Sequence, residues 1–334
     1  MYGSPAVLQL QEVAKPVPGD DEALVQIQAA SVNQADWHLL TADIFLVRFM
    51  AVGLLRPKNT RLGAGMDGRV EAVGRNVRQF RPGDEVFGDI GAQAGGAFAE
   101  YAAVPAGALA LKPANLSFEQ AAAVPIAGLT ALQGLRDEGQ IRPGQKVLIQ
   151  GASGRVGTFA VQVAKSFGAE VTAVCSTRNL EQTRTLGADH VIDYTQDCFA
   201  QSGQTYDLIL AVNGYHPISA YKRALAPKGT YVMAGGSPAQ IFQALFLGRL
   251  LSRAGGRRVR VLSAKPNQKD LAVLSELLES GRVVPVIDRR YSLAEVPEAL
   301  RYLGQGHARG KVVIAIDHNS QRQPAPMGMT GDRA

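Results

Sequence analysis

The sequence predicts an α/β protein in two modules. One is an open parallel sheet wound by helices on both faces; the other is β-rich and takes its strands from both ends of the chain. The decisive stretch is KVLIQGASGRVGTFAVQVAK, residues 146–165. An apolar run stops at a tight turn carrying Gly151, Gly154 and Gly157, and apolar residues then recur at helical spacing: Phe159, Val161, Val163, Ala164 and Phe167. Strand, glycine turn and amphipathic helix in that order are the setting of a dinucleotide-binding turn. The glycines let the backbone bend and approach a pyrophosphate, whose charge is received by the free N–H groups of the helix start. Glycines alone leave open a bare strand-to-helix connection, since the spacing is G-x-x-G-x-x-G.

The second observation lies just downstream of that helix. The next apolar run, Val171 to Cys175, falls where the second strand of a βαβ unit belongs, and it ends in Cys175-Ser176-Thr177-Arg178-Asn179 with no acid before Glu181. An NAD-selective site places a carboxylate near this point for the ribose 2′-hydroxyl. Hydroxyls and a guanidinium suit a 2′-phosphate instead, so Ser176 and Arg178 point to NADPH, the alternative being a solvated polar loop. Tyr194 is expected beside the same phosphate or, equally, in the core.

The third observation is a change of texture along the chain. Residues 20–112 read as short strands: 23–30, 68–73, 85–87 after the Arg81-Pro82-Gly83-Asp84 turn, and 98–104. From Ser117, which with Gln120 forms a capping box for a helix through Ala123, strand and helix alternate. Strands are expected at 146–150, 171–175, 190–193, 207–212, 229–234 and 258–263, with helical patterns between several of them, which describes a doubly wound parallel sheet. The chain then returns to the first module with a helix at 269–280, a strand at 283–287, a helix at 293–303 and a last strand at 311–316. Residues 319–334 carry no apolar period and are expected to be a disordered tail.

Composition bounds the function. The 334 residues suit two domains, and 46% hydrophobic content with mean hydropathy −0.01 describes a globular protein with no membrane span. Cys175 and Cys198 are the two cysteines, which fits a reducing cytoplasm rather than a disulfide framework. A net charge of +6 permits nucleic-acid binding. The densest basic cluster, Arg249, Arg253, Arg257, Arg258 and Arg260, has no interleaved aromatics for base stacking, so nucleic acid is disfavoured as a partner.

Several segments together resemble the medium-chain dehydrogenase/reductase superfamily: Ala29-Ala30-Ser31-Val32-Asn33, Gly65-Met66-Asp67-Gly68 onward to Gly74, Arg81-Pro82-Gly83-Asp84-Glu85-Val86, Gly128-Leu129-Thr130-Ala131, GASGRVG, Leu186-Gly187-Ala188-Asp189 and His307-Ala308-Arg309-Gly310-Lys311. The resemblance implies a Rossmann domain at 113–265 and a GroES-like catalytic domain made of 1–112 and 266–318. It departs from the zinc-dependent branch, having no cysteine at 33–36 and no histidine at Gly65-Met66-Asp67. Asp36, His38 and Asp67 would have to converge to replace that ligand set, and no metal is expected. The chain therefore looks like the zinc-free quinone oxidoreductase, or zeta-crystallin-like, branch. That implies an NADPH-dependent reductase of quinones, enones or alkenals, acting on a small lipophilic substrate in the interdomain cleft. Alternatives are a zinc-free carbonyl or alcohol dehydrogenase, or a non-catalytic NADPH-binding sensor or nucleic-acid-binding protein.

Asn33 is expected to position nicotinamide or the substrate oxygen, Thr130 to contact the nicotinamide side, and Lys58 or His38 to donate a proton. Cofactor contacts are expected from Gly151-Ala152-Ser153-Gly154-Arg155-Val156-Gly157, Ser176, Arg178, Tyr194, Asn213, Gly235 and Lys311. Arg155 stands where this branch often has glycine. The chain also starts about a strand later than such relatives. A homodimer paired through the edge strand at 258–263 is implied.

Overall fold

The computed structural model describes residues 2–42, 61–91, 96–236, 240, 243 and 256–318. Lys58, Arg249, Arg253, most of the apolar 241–247 segment and the 319–334 tail lie outside the described residues. Among those described, no helix is long and apolar enough to cross a membrane.

The first sheet begins with β1 (Glu22–Val32), and α1 (Gln34–Thr41) follows directly. β2 (Gly65–Val73), β3 (Glu85–Asp89), β4 (Tyr101–Pro105) and β5 (Leu109–Leu111) complete the N-terminal contribution. The expected strand at 98–104 is thus confined to β4, preceded by bends at 98–100. Two short helices, α2 (Phe118–Ala122) and α3 (Pro125–Gln133), lead to the second sheet. Ser117 caps α2 as anticipated: its hydroxyl accepts from the Gln120 N–H while the Gln120 side chain accepts from the Ser117 N–H.

The second sheet comprises β6 (Lys146–Gln150), β7 (Glu170–Cys175), β8 (His190–Asp193), β9 (Tyr206–Ala211), β10 (Leu225–Met233) and β11 (Arg258–Val261). Between them run α4 (Gly157–Ser166) after β6, α5 (Leu180–Thr185) after β7 and α6 (Ile218–Ala224) after β9. Every pair in this sheet is parallel, and the order is β11-β10-β9-β6-β7-β8. Successive strands therefore wind outward from β6 on one side and from β9 on the other. The crevice beyond the carboxyl ends of β6 and β9 is the topological switch point, where ligands bind in such sheets.

After α7 (Gln268–Glu279) the chain re-enters the first sheet as β12 (Ile287–Ser292), makes α8 (Val296–Gly304) and ends in β13 (Lys311–Ala315). β13 inserts between β12 and β1, giving β12-β13-β1-β2-β3-β5 with β4 also on β1. The strand expected at 283–287 starts instead at Ile287, for local reasons. Val283 is buried in the core shared with β6 and α4, and Pro285 has no N–H for a ladder. Both backbone groups of Val284 are taken by Gln162 of α4, whose amide donates to its carbonyl at 3.0 Å and accepts from its N–H at 2.8 Å. Gln133 of α3 makes the same paired contact with Lys265, at 2.8 and 2.9 Å. α7 lies between these two clamps and packs Leu271, Leu274, Leu277 and Leu278 into the same core.

Asp67, on β2, is fully buried, and neither of its carboxyl oxygens has a hydrogen-bond partner among the described residues. Burial pushes its pKa well above the ordinary carboxylate value, with Lys112 and Arg69 opposing the rise and Glu85 adding to it. The folded state then keeps a proton that the unfolded chain gives up, so stability falls as pH rises from the carboxylate range through neutrality. Asp67→Asn should flatten this slope. Urea midpoints at pH 5 and pH 8 should differ more in the wild type than in the variant, and parallel profiles would disprove the assignment.

Candidate cofactor crevice and the buried charges beside it

The glycine turn between β6 and α4 is shaped by contacts that only glycine permits. Gly151 has φ +79°, a left-handed conformation. A Cβ at Gly157 would lie 2.0 Å from the Gly151 carbonyl oxygen and 2.7 Å from the Ala152 Cα. At Gly154 a Cβ would meet only the Gly151 oxygen, at 3.3 Å, so this glycine leaves a hollow over the turn. Ala152 and Ser153 are buried, and Val156 opens α4. The turn is held to β7 by N–H groups of Gly151 and Ala152 donating to the Val174 carbonyl, each at 3.1 Å.

The other strand ends close the crevice. A Cβ on Gly151 would come within 3.3 Å of the Asn213 Cβ, and one on Gly235 within 2.4 Å of the Val212 carbonyl oxygen, so Gly151, Asn213 and Gly235 meet where β6, β9 and β10 end. Ser176 and Arg178 follow β7. Asn179 ties this loop to the glycine turn, its amide donating to Ser153 Oγ at 2.9 Å and Ser176 Oγ at 3.1 Å, while its buried Oδ1 finds no partner among the described residues. The Gln150 Nε2 at the end of β6 is likewise buried, with no partner among the described residues. Glycine hollow, helix start and orphaned polar atoms together fit a dinucleotide. Tyr194, half exposed, packs edge-on against Tyr215 with ring centres 5.9 Å apart. The carboxylate nearest the Ser176–Arg178 loop, Asp193, accepts from the hydroxyls of Thr177 and Thr195.

Several bonds join this sheet to the other. Arg178 donates to the His307 carbonyl at 3.4 Å and Gln182 to the Arg309 carbonyl at 2.6 Å. Arg155, partly buried, donates to Gln34 Oε1 at 2.9 Å on α1.

α1 and β13 build a buried polar cluster on the opposite wall. Asn33 is 4% exposed. Its Oδ1 accepts from Lys311 Nζ at 2.5 Å, and its amide nitrogen donates to the Ser31 carbonyl at 2.8 Å. Asp36, also buried, accepts from the N–H of Asn33 at 2.8 Å and of Gly63 at 3.0 Å. Burial pushes the Asp36 pKa up to about 6 against these bonds and the Lys311 charge. Lys311 is fully buried, and desolvation pushes its pKa down to about 7; the nearby Arg155 lowers it further, while Asp36 and Asp89 oppose. Burial likewise raises Asp89 and lowers Arg155.

Of the residues expected to act on substrate, Asn33 is thus committed on its oxygen to Lys311 and on its nitrogen to Ser31. Thr130 lies on α3 with its hydroxyl donating back to the Ile126 carbonyl at 2.6 Å. His38 sits partly buried on α1, and Lys58 lies outside the described residues. No three His, Cys, Asp or Glu side chains gather as metal ligands among the described residues. Gln34, Asp89, Asn179, Gln150 and Tyr215 escaped the sequence reading. Only Asn179 carried a signal there, as part of the Ser176–Asn179 turn.

Comparison with known proteins agrees with this geometry. Residues 19–114 match the alcohol dehydrogenase GroES-like domain, and residues 186–314 match the family described as zinc-binding dehydrogenase. The 2-methylene-furan-3-one reductase of Solanum lycopersicum is 38% identical over 94% of this chain and 76% of its own. The chain is a medium-chain dehydrogenase/reductase. A chloroplastic quinone oxidoreductase of Triphysaria versicolor is 32% identical, covering 93% of this chain and 95% of its own. Among solved structures, the quinone oxidoreductase from Coxiella burnetii superposes with a TM-score of 0.82 at 29% identity, over 95% of this chain and 97% of its own. A structure named NAD-dependent alcohol dehydrogenase superposes equally well, at 0.82 and 29%, over 95% and 98%. This medium-chain dehydrogenase/reductase is accordingly an oxidoreductase whose relatives use nicotinamide cofactors.

The steric demand at Gly157 gives a direct test of the turn. Gly157→Ala should lower the unfolding free energy by about 1–3 kcal/mol through overpacking and weaken nicotinamide-dinucleotide binding in a fluorescence titration. Undiminished binding would show that the turn does not form the cofactor site.

Proposed function

We propose that this oxidoreductase reduces a quinone or an α,β-unsaturated carbonyl, takes its reducing equivalents from NADPH and uses no catalytic metal. The observation that carries the reading is the crevice itself: a glycine hollow at a helix start, with a guanidinium and hydroxyls at its outer end. Relatives named for quinones, a methylene-furanone and alkenals support the acceptor class. Bound nicotinamide supplies hydride, and solvent or a protein donor supplies the proton, so that an enone becomes a saturated carbonyl or a quinone a hydroquinone. Conjugation spreads the incoming charge onto oxygen, which lowers the need for a Lewis acid. The ligand types present support metal independence: Asn33 is bonded to Lys311, Met66 is a buried apolar residue on β2, and Asp36 is occupied by two backbone N–H groups.

In this reading the turn from Gly151 to Gly157 receives the pyrophosphate, and Ser176, Arg178 and Tyr194 receive the 2′-phosphate end. Asn213 and Gly235 border the ribose and nicotinamide path, with Thr130 on its far wall. Asn33 acts by ordering Lys311 and the start of α1. Lys58 and His38 are the proposed proton donors. We assign 1–112 with 266–318 to the catalytic domain and 113–265 to the nucleotide domain. A homodimer paired along β11 and a cytoplasmic location complete the proposal.

The cofactor assignment is tested at Arg178. Arg178→Ala should weaken NADPH binding by about 10- to 100-fold, the worth of a charge-assisted hydrogen bond, with NADH binding unchanged. Equal losses for both cofactors, or a wild-type preference for NADH, would overturn NADPH. Turnover of a simple ketone, but of no quinone, alkenal or cyclic enone, would overturn the acceptor class and favour the alcohol-dehydrogenase relatives.

A further inference from the structure

Two basic side chains from different sheets bond to adjacent residues at the start of α1, Arg155 to Gln34 and Lys311 to Asn33. Lys311 enters from β13, is fully buried and donates to Asn33. Arg155 enters from the glycine turn, and its guanidinium is bonded to a neutral partner, Gln34. Among the described residues, the charged groups acting on Lys311 come from three elements: Arg155 from the turn, Asp36 from α1 and Asp89 from the end of β3. Asp36 accepts from the backbone N–H groups of Asn33 and Gly63, and Asp89 accepts from the Gly91 N–H at 3.1 Å. The lysine therefore sits in a desolvated place where Arg155 opposes its charge and Asp36 and Asp89 favour it.

We propose that binding of a nicotinamide dinucleotide at the glycine turn is coupled to uptake of one proton by Lys311, transmitted by Arg155. The inference rests on the function proposed above. Two phosphate charges arriving at the start of α4 lie beside Arg155 and neutralise its field, since a guanidinium pairs with phosphate in bidentate geometry. Relieved of that repulsion, Lys311 binds a proton more tightly, and by linkage the cofactor binds more tightly to the form in which Lys311 already carries its proton. The sign is set by the direction of the shift: burial and Arg155 depress the affinity of Lys311 for its proton to about pH 7 in the free protein. Cofactor affinity is then highest at and below neutrality and falls on the alkaline side. Lys311 acts here as a positioning residue: it carries charge to the crevice wall through Asn33 without touching the reacting atoms.

The experiment is isothermal titration of the full chain with NADPH between pH 7 and 9, in pairs of buffers with different ionisation enthalpies, so that bound protons are counted directly. Above pH 7 the cofactor's 2′-phosphate is already ionised, and so is Asp36; neither supplies the signal. The wild type should take up a fraction of a proton that peaks within this range, and its Kd should rise by up to about tenfold per pH unit. Lys311→Met should bind NADPH without this uptake. Arg155→Gln should show less than the wild type, because its lysine is already protonated before the cofactor arrives. This second variant changes a partly exposed side chain and keeps the test decisive if Lys311→Met does not fold. Wild-type binding without proton uptake, or equal uptake in the wild type and Arg155→Gln, would overturn the coupling and leave the function intact. Failure of the wild type to bind NADPH or NADH would overturn the function and the coupling together.

Discussion

An ammonium group sealed from water needs a partner, and the wall of the crevice opposite the glycine turn is organised around the one that Lys311 finds. That lysine reaches Asn33 because β13 slides between β12 and β1 and is antiparallel to β1, with Val312 opposite Val32. Asn33 in turn closes β1 and opens α1, and Asp36 draws in the backbone at Gly63. Three pieces distant in sequence are thereby fixed by a handful of buried polar contacts. In the low dielectric of an interior such contacts are strong when complete and costly when one member is lost.

The nucleotide wall obeys a different constraint. It is steric: the Gly157 Cα and the Gly151 carbonyl approach so closely that no side chain fits between them. This sets the direction of α4 and presents its N-terminal N–H groups to the crevice. The walls are bridged near each end, by Arg155 to Gln34 at the turn and by Arg178 and Gln182 to the 307–309 backbone at the outer end. Arg155 and Arg178, proposed to meet the phosphates, thus also touch the neighbouring sheet.

The parallel sheet was legible because its central strands are mostly apolar and its turn depends on glycine, two signals that survive in a one-dimensional pattern. The six expected strands fall on β6 to β11 with ends differing by a few residues, most at β10, which begins at Leu225. β12 was misplaced because Ile287-Asp288-Arg289-Arg290-Tyr291-Ser292 is a polar edge strand, whereas the apolar residues ahead of it are claimed by another core. β5 is three residues long and leaves no pattern at all. The buried charges were the least legible. Lys311 follows Gly310 at a strand start, where a surface lysine reads identically, and Asp36 sits in the first turn of a helix, where acids are common in any case. Their burial depends on which strands become neighbours, and that is settled only in three dimensions.

The glutamine clamps have a consequence for recombining this protein with its relatives. Gln133 and Gln162 grip the returning chain at Lys265 and Val284 as an adjacent strand would, by both backbone groups at once. The length of chain between those grips is therefore stitched to the parallel sheet, although it leads back to the other one. A chimera spliced just after β11 would separate each glutamine from the backbone it was fitted to and orphan four hydrogen-bonding groups. Splicing beyond Val286 would transplant the clamps whole.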